Sequence, residues 1–403
     1  MAPEFEQLFR RWYCGQLIVL TVGVLLRLLA VNGGFDFPAG GMIMVIWFLN
    51  AWWPAIEEAR PDWRRLRHVN YYVQTILLFT FLPILVANLI DLLSRYTALD
   101  EQGLIAVGMA YLMVAFVPVG VVVTAKIQSL VGRIAILISA VFSGLIGAQS
   151  TMFALPILKV PAAFNLVADA GVLGAFGLVL TIGVMMRLWG VRWASWRFNR
   201  QAQRGLLAAL IVIGVAFSLW NAFSDGSNWG NTFTAWDFHL RSASWKMFLG
   251  GLEPGIAEEW LYRYAVLTLL LVAFKRSRFQ LDAAVWISGT LFGLWHVTNA
   301  LAGQAWMATV EQMVFAATLG YFLAVAYLYT GSILVAMGIH AAIDILSMMA
   351  SGSQTMVVPD AFEWQTIAFT VVAFVALTIF FLTGARRRAI QAQVDQRLLK
   401  ALI

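Results

Sequence analysis

The stretch GLIAVGMAYLMVAFVPVGVVVT, residues 103–124, contains no Asp, Glu, Lys or Arg. An α-helix needs about 20 apolar residues to cross a bilayer. A helix on the surface of a soluble protein keeps a polar face, and this stretch has none. Further apolar runs lie on both sides of it, at 14–32, 40–56, 71–93, 133–155, 166–189, 205–223, 246–274, 282–301, 307–328, 331–350 and 364–384. The expected fold is therefore all-α, a polytopic transmembrane helical bundle of about twelve spans. The ten-residue alternating segments of a membrane β-barrel are absent.

Composition agrees. The 403 residues are 61% hydrophobic and 12% charged, with a mean hydropathy of +0.80. Soluble domains run near roughly 45–50% apolar and 25% charged. A soluble globular chain and a disordered one are both excluded. The net charge of +6 does not point to nucleic acid, because the basic residues sit in short clusters between apolar runs. Examples are Arg10 and Arg11, Arg64 and Arg65, Arg197 and Arg200, Lys275 and Arg276, and Arg386 to Arg388. The intervening loops are poor in Lys and Arg and carry Asp36, Asp91, Asp100, Glu101, Asp225, Asp237, Asp360 and Glu363. By the positive-inside rule both termini are cytoplasmic. The first apolar run lacks a small-residue cleavage site and reads as a signal anchor. The expected location is the cell membrane, with the lipid bilayer as surroundings and no nucleic-acid partner.

Cys14 is the single cysteine, so neither an intrachain disulfide nor a Cys-x-x-Cys pair can form. It reads as a packing or interface residue. Three regions are expected: an N-terminal membrane region over 1–240, a core carrying the chemistry over 241–352, and a last span with a basic tail over 353–403. Ile390, Val394, Leu398 and Leu402 recur at helical spacing in that tail, as in a helix lying on a membrane surface. Gly171, Gly174 and Gly177 have the spacing of close helix packing.

Ionisable side chains are costly inside spans and usually mark function. Here they concentrate between residues 258 and 344. Glu258-Glu259-Trp260-Leu261-Tyr262-Arg263 places two carboxylates and an arginine in an apolar helix. Glu259 and Arg263 are four apart and share a face. Glu258 points about 100° away and needs another partner. With Arg263 neutralising one acid, the other can serve as a proton acceptor. His296 follows Phe292 by four residues, and Asp344 follows His340 by four, a spacing that lets the carboxylate orient the imidazole. Each motif alone also fits a buried polar lock between helices. Helix rise places the three at compatible depths, about 6–18 Å from the outer ends of their spans. Pro254, after Gly250 and Gly251, could break its span and leave Glu258 near a helix N-terminus. A carboxylate, two imidazoles and a second carboxylate buried together suit water activation and oxyanion stabilisation.

In this order, Glu-Glu-x-x-x-Arg, Phe-x-x-x-His and His-x-x-x-Asp resemble the CPBP family of CAAX proteases and bacteriocin-processing (Abi) proteins, which includes the Ras-converting CAAX endopeptidases. The Gly331-Ser332-Ile333 lead-in to His340 is also similar. The likeness covers residues 246–350. It implies an intramembrane glutamic endopeptidase acting on a membrane-associated peptide or protein. Glu258 would then activate water, Glu259 and Arg263 support it, and His296 work with it. His340 and Asp344 would occupy the oxyanion positions. Two departures stand out. Tyr264 replaces a frequent Gly, and Asp344 replaces an Asn. An ionised Asp is a poor oxyanion donor and suits orienting His340 better.

The resemblance implies no cofactor. Two His and a carboxylate are also donors that zinc takes, though His-Glu-x-x-His is absent. Two other readings compete: a non-proteolytic immunity or scaffold protein of the same family, and a secondary transporter. A transporter draws polar groups from both halves, whereas the first half here offers little beyond Asn88, Asn165 and Asp169.

Overall fold

The computed structural model describes residues 3–30, 50–55, 63–142, 144 and 161–399. Among these the chain is helical, with the isolated bridge between Ser224 and Trp236 as its sole β feature. Six helices are long and apolar enough to cross a membrane: Arg64–Tyr96, Glu101–Lys126, Arg204–Phe223, Trp306–Thr330, Ile333–Ser351 and Ala361–Phe381. The count becomes 7 if Ala162–Asp169 and Val172–Leu188, bent by 51°, form one span. The expected run at 40–56 lies mostly outside the described residues, as do the later part of 133–155 and Asp36.

Two compact units divide the chain, Met1–Gly190 and Val191–Ile403. The first is built from α1 (Pro3–Ala30), α2 (Arg64–Tyr96), α3 (Glu101–Val122) and α4 (Val172–Leu188). Asp100 caps α3 by accepting from the Gly103 N–H at 2.7 Å, which satisfies a donor that the first turn leaves open. Phe79 of α2 stacks on Phe116 of α3 with ring centroids 4.9 Å apart. Asp91 is not in a loop as expected. It lies inside α2, buried, with its carboxylate 3.0 Å from Arg95 Nε one turn on, so the pair carries the acid into the helix. Of the glycines expected to serve packing, Gly177 does so. A Cβ there would lie 3.2 Å from the Met113 carbonyl oxygen. Gly171 instead sits at φ +69°, where the chain bends before α4. Cys14 is a free, half-buried thiol on α1.

The second unit contains α5 (Arg204–Phe223), α6 (Trp245–Glu259), a π-helical turn Trp260–Val266, α7 (Leu267–Ala273), α8 (Gln280–Trp295), α9 (Trp306–Thr330), α10 (Ile333–Ser351), α11 (Ala361–Phe381) and α12 (Gly384–Leu399). Asp360 and Glu363 form a reciprocal capping box at the start of α11. The most intimate pairings are α6 with α10 and α8 with α9. Glycine sets both. A Cβ on Gly251 would meet the Ile345 backbone nitrogen at 2.5 Å, and one on Gly255 would meet that of Ala341 at 2.8 Å. A Cβ on Gly293 would meet the Met313 carbonyl oxygen at 2.5 Å. Gly251 and Gly255 on α6, and Gly289 and Gly293 on α8, have the small-xxx-small spacing that lets helix backbones touch in a membrane.

The basic tail also differs from expectation. Ile390 and Val394 of α12 are buried, and α12 packs on α9 and α11. Arg387 anchors it by a bidentate pair to Asp282, at 2.8 and 2.7 Å. Ile390 and Val394, the described part of the apolar stripe, thus face protein rather than lipid, because the ends of α9 and α11 offer them a dry surface. Leu402 lies outside the described residues.

Candidate active site

The site lies where α6, α8 and α10 meet. Ser244 caps α6, accepting from the Met247 N–H at 3.4 Å. The helix then runs unbroken through Pro254 to Glu259. The expected break at Pro254 therefore does not occur, and Glu258 sits near the C-terminal end of α6 rather than a helix N-terminus. A proline tolerates this position where neighbouring helices compensate its missing N–H. The irregularity comes one turn later. The Trp260–Val266 turn is a π-helix, a form often found at functional sites. Within it the Tyr262 carbonyl accepts from the Leu267 N–H five residues on and also from Ser288 Oγ of α8, the latter at 3.1 Å.

The innermost layer is fully buried. Arg263 Nε lies 2.9 Å from Glu259 Oε2, an ion pair without the alignment of a hydrogen bond. The guanidinium also lies over the ring of Phe292, 4.6 Å from its centroid, where the π face attracts a cation. The other oxygen of Glu259 is 3.0 Å from His340 Nδ1. A carboxylate paired with arginine accepts, so Nδ1–H donates. Glu259 thus joins Arg263 and His340, and fixes which nitrogen His340 presents outward.

That outward nitrogen, Nε2, is 3.4 Å from Asp344 Oδ2 and 3.9 Å from Glu258 Oε2. Glu258 interacts electrostatically with His296, His340 and Asp344. His296 caps the end of α8 and points Nδ1 at the Phe292 carbonyl, 3.0 Å away. Its Nε2 is left for another partner. Phe292 sits edge-to-face with both imidazoles, with centroids at 5.1 and 5.8 Å. The outer layer is accessible: the Glu258 side chain is 13% exposed and that of Asp344 is 25% exposed, against 0% for Glu259 and Arg263.

All six residues singled out in the sequence thus converge. The orienting partner on His340 Nδ1 is Glu259, which spacing alone had paired only with Arg263. Two further residues belong here. Glu253 interacts with Glu258, Asp344 and His340, and its Oε1 is buried with no hydrogen-bond partner among the described residues. The buried Tyr262 hydroxyl also lacks such a partner and interacts with Glu258. Tyr262 follows Glu258 by four residues, the same spacing that linked Glu259 to Arg263, so the signal for it was present. Among the described residues no group of three or more His, Cys, Asp or Glu has the geometry to hold a metal ion.

Residues 240–346 match the family model for type II CAAX prenyl endopeptidases, Rce1-like. The match encloses every residue of the site. The likeness to CAAX proteases read from the motifs is thus found at the level of the family. It supports a membrane endopeptidase in general terms, and the six apolar helices agree with a membrane protein. No curated protein and no solved structure gives a match.

Proposed function

We propose that this chain is an intramembrane glutamic endopeptidase that hydrolyses a peptide bond in a membrane-associated peptide or protein. The carrying observation is the division of labour between adjacent acids. Glu259 is committed to Arg263 and His340, while Glu258 remains partly exposed beside both imidazoles. An uncommitted carboxylate next to two histidines in a low-dielectric site is what a general base for water requires.

In this reading a water held between Glu258 and His296 gives its proton to Glu258 and attacks the scissile carbonyl carbon. His340, held by Glu259, donates from Nε2 to the developing oxyanion. Asp344, 3.4 Å from Nε2, keeps that imidazole oriented. Glu258 then returns the proton to the leaving amine as the C–N bond breaks. No cofactor enters these steps.

The same reading places the protein in the cell membrane as a multi-pass protein with both termini cytoplasmic. About twelve crossings follow if α1, the run 245–273, α8 and the apolar runs at 40–56 and 133–155 cross beside the helices already counted. Residues 241–352 form the proteolytic core. Residues 1–240 and 353–403 frame it.

The test is hydrolysis of membrane-tethered peptides by purified protein in bilayers, comparing wild type with Glu258→Ala and His296→Ala, with and without a chelator. Loss in both variants with chelator harmless supports the mechanism. Loss with chelator as well favours zinc. Undiminished cleavage by the variants defeats the assignment. No cleavage by any folded protein favours a scaffold or immunity role.

A further inference from the structure

The two ends of the second unit differ in charge. One end gathers the connections around 191–203, 274–279 and 382–384. The Asn199 N–H bonds the Thr330 carbonyl at 2.6 Å, Gln280 Nε2 bonds the Leu271 carbonyl at 2.8 Å, and Arg387 pairs with Asp282. Arg197, Arg200, Lys275, Arg276, Arg278 and Arg388 crowd this end. The opposite end gathers 224–244, 296–305 and 352–360. Ser242 N–H bonds the Met349 carbonyl at 3.1 Å, Asn221 Nδ2 bonds Ser347 Oγ at 2.8 Å, and Trp229 Nε1 bonds Gln365 Oε1 at 3.0 Å. Its charges are Asp225, Asp237, Asp360 and Glu363 against Arg241 and Lys246. The basic end is the cytoplasmic one by the positive-inside rule.

The site is closed toward the basic end. From Arg263 no acidic or basic side chain follows until Lys275, and Tyr264 to Leu267 and Leu269 to Leu271 are buried. On α8, Asp282 is the only ionisable residue before His296, and Val285, Ser288 and Phe292 are buried between them. On α10 none precedes His340, and Ile333, Ala336 and Ile339 are buried. Each of the three helices is thus an apolar plug below the site.

Toward the other end the polar groups continue. Asp344 lies about one turn beyond His340, and Glu253 about one and a half turns beyond Glu258, both in that direction. Asp344 is more exposed than Glu258 or Glu259, and Ser347 and Asn221 follow it. Val297, next to His296, is 39% exposed. Water and a polar backbone can follow such a path, whereas the plug offers their hydrogen-bonding groups no partner.

We infer that, as the described residues of the second unit build it, the site opens to the non-cytoplasmic side. Its substrate is then a polypeptide segment presented there, in the outer part of the bilayer or on its outer surface, and not a cytosolic tail. This rests on the endopeptidase reading for the word substrate, but the direction of opening stands independently of it.

The experiment uses full-length protein with Cys14→Ala, which removes the only cysteine. Single cysteines are placed at Thr355 (acidic end), Gln201 (basic end) and Val297 (lip of the site). A membrane-impermeant maleimide is applied to spheroplasts of an expression host, and again after lysis. The expected pattern is labelling of T355C and V297C before lysis, and of Q201C only after it. Labelling of Q201C before lysis overturns the orientation. Labelling of V297C only after lysis, with T355C outside, overturns the direction of opening. The same cysteines then report orientation in sealed proteoliposomes given a mixture of quenched-fluorescent peptides from outside. Cleavage is expected only from vesicles with the Thr355 end outward, and cleavage only from the opposite population refutes the proposal. If neither population cleaves, the endopeptidase reading falls, and the labelling still decides the direction of opening.

Discussion

The inner and outer layers of the site contain the same kinds of side chain and do different things. The inner layer is Glu259, Arg263 and the Nδ1 side of His340, with the two charged residues at 0% exposure and an arginine seated on Phe292. The outer layer is Glu258, Asp344, His296 and the Nε2 side of His340, all within reach of water or of one another. Buried charges paired with one another hold geometry, and removing one partner is severe. A partly exposed carboxylate without a committed partner is free to take a proton. Adjacent glutamates of identical chemistry thus meet different surroundings across about 100° of helix rotation.

The largest effect expected is on turnover alone. Glu258→Gln should reduce peptide hydrolysis by about 10²–10⁴-fold, the range for losing a general base, while the thermal melting temperature in detergent stays at the wild-type value. A variant that unfolds instead would move Glu258 into the structural layer. Arg263→Met should do the reverse. It leaves Glu259 buried without its cation, at a cost of about 3–5 kcal/mol, and thermal denaturation should show it even in protein already inactivated at Glu258. Unchanged stability there would erase the distinction between the layers.

Gly255→Leu attacks what brings the layers together. Its side chain must displace the Ala341 backbone, and overpacking of this kind costs about 1–3 kcal/mol. Both melting temperature and hydrolysis should fall, because α10 carries His340 and Asp344. The mildest change is Asp344→Asn. The amide oxygen still accepts from His340 Nε2, so hydrolysis should fall by less than about tenfold, the worth of one hydrogen bond. A loss as deep as that of Glu258→Gln would make Asp344 a proton carrier rather than an orienting group.

Much of this was readable without coordinates. The uncharged run at 103–124 required an apolar environment, and a chain in that environment must satisfy its backbone within helices. The concentration of ionisable residues between 258 and 344 located the site, because such residues are not retained in lipid without partners. The pairs four residues apart were legible because helix periodicity alone makes them neighbours. The tail on α12 was misread. Its pattern says that one face is apolar, and both lipid and a protein surface satisfy such a face.

Contacts between helices depend on rotation and approach, which no single helix encodes. The His340–Glu259 bond joins α10 to α6, and it exists because Gly251 and Gly255 let those backbones touch. Pro254 looked like a break, but α6 continues through it in a packed environment. Glu253 carries no i,i+4 signal to Glu258, and it joined the site only through its buried, unpartnered oxygen and its interaction with Glu258, whereas Tyr262 did carry that spacing. The sequence by itself determined the solvent, the secondary structure and the region of chemistry, since these follow from hydrophobicity and local period. Only the tertiary structure decided that Glu259 also holds His340 and that Glu258 faces the outer side of that imidazole, because both depend on what each side chain meets across the helix interface.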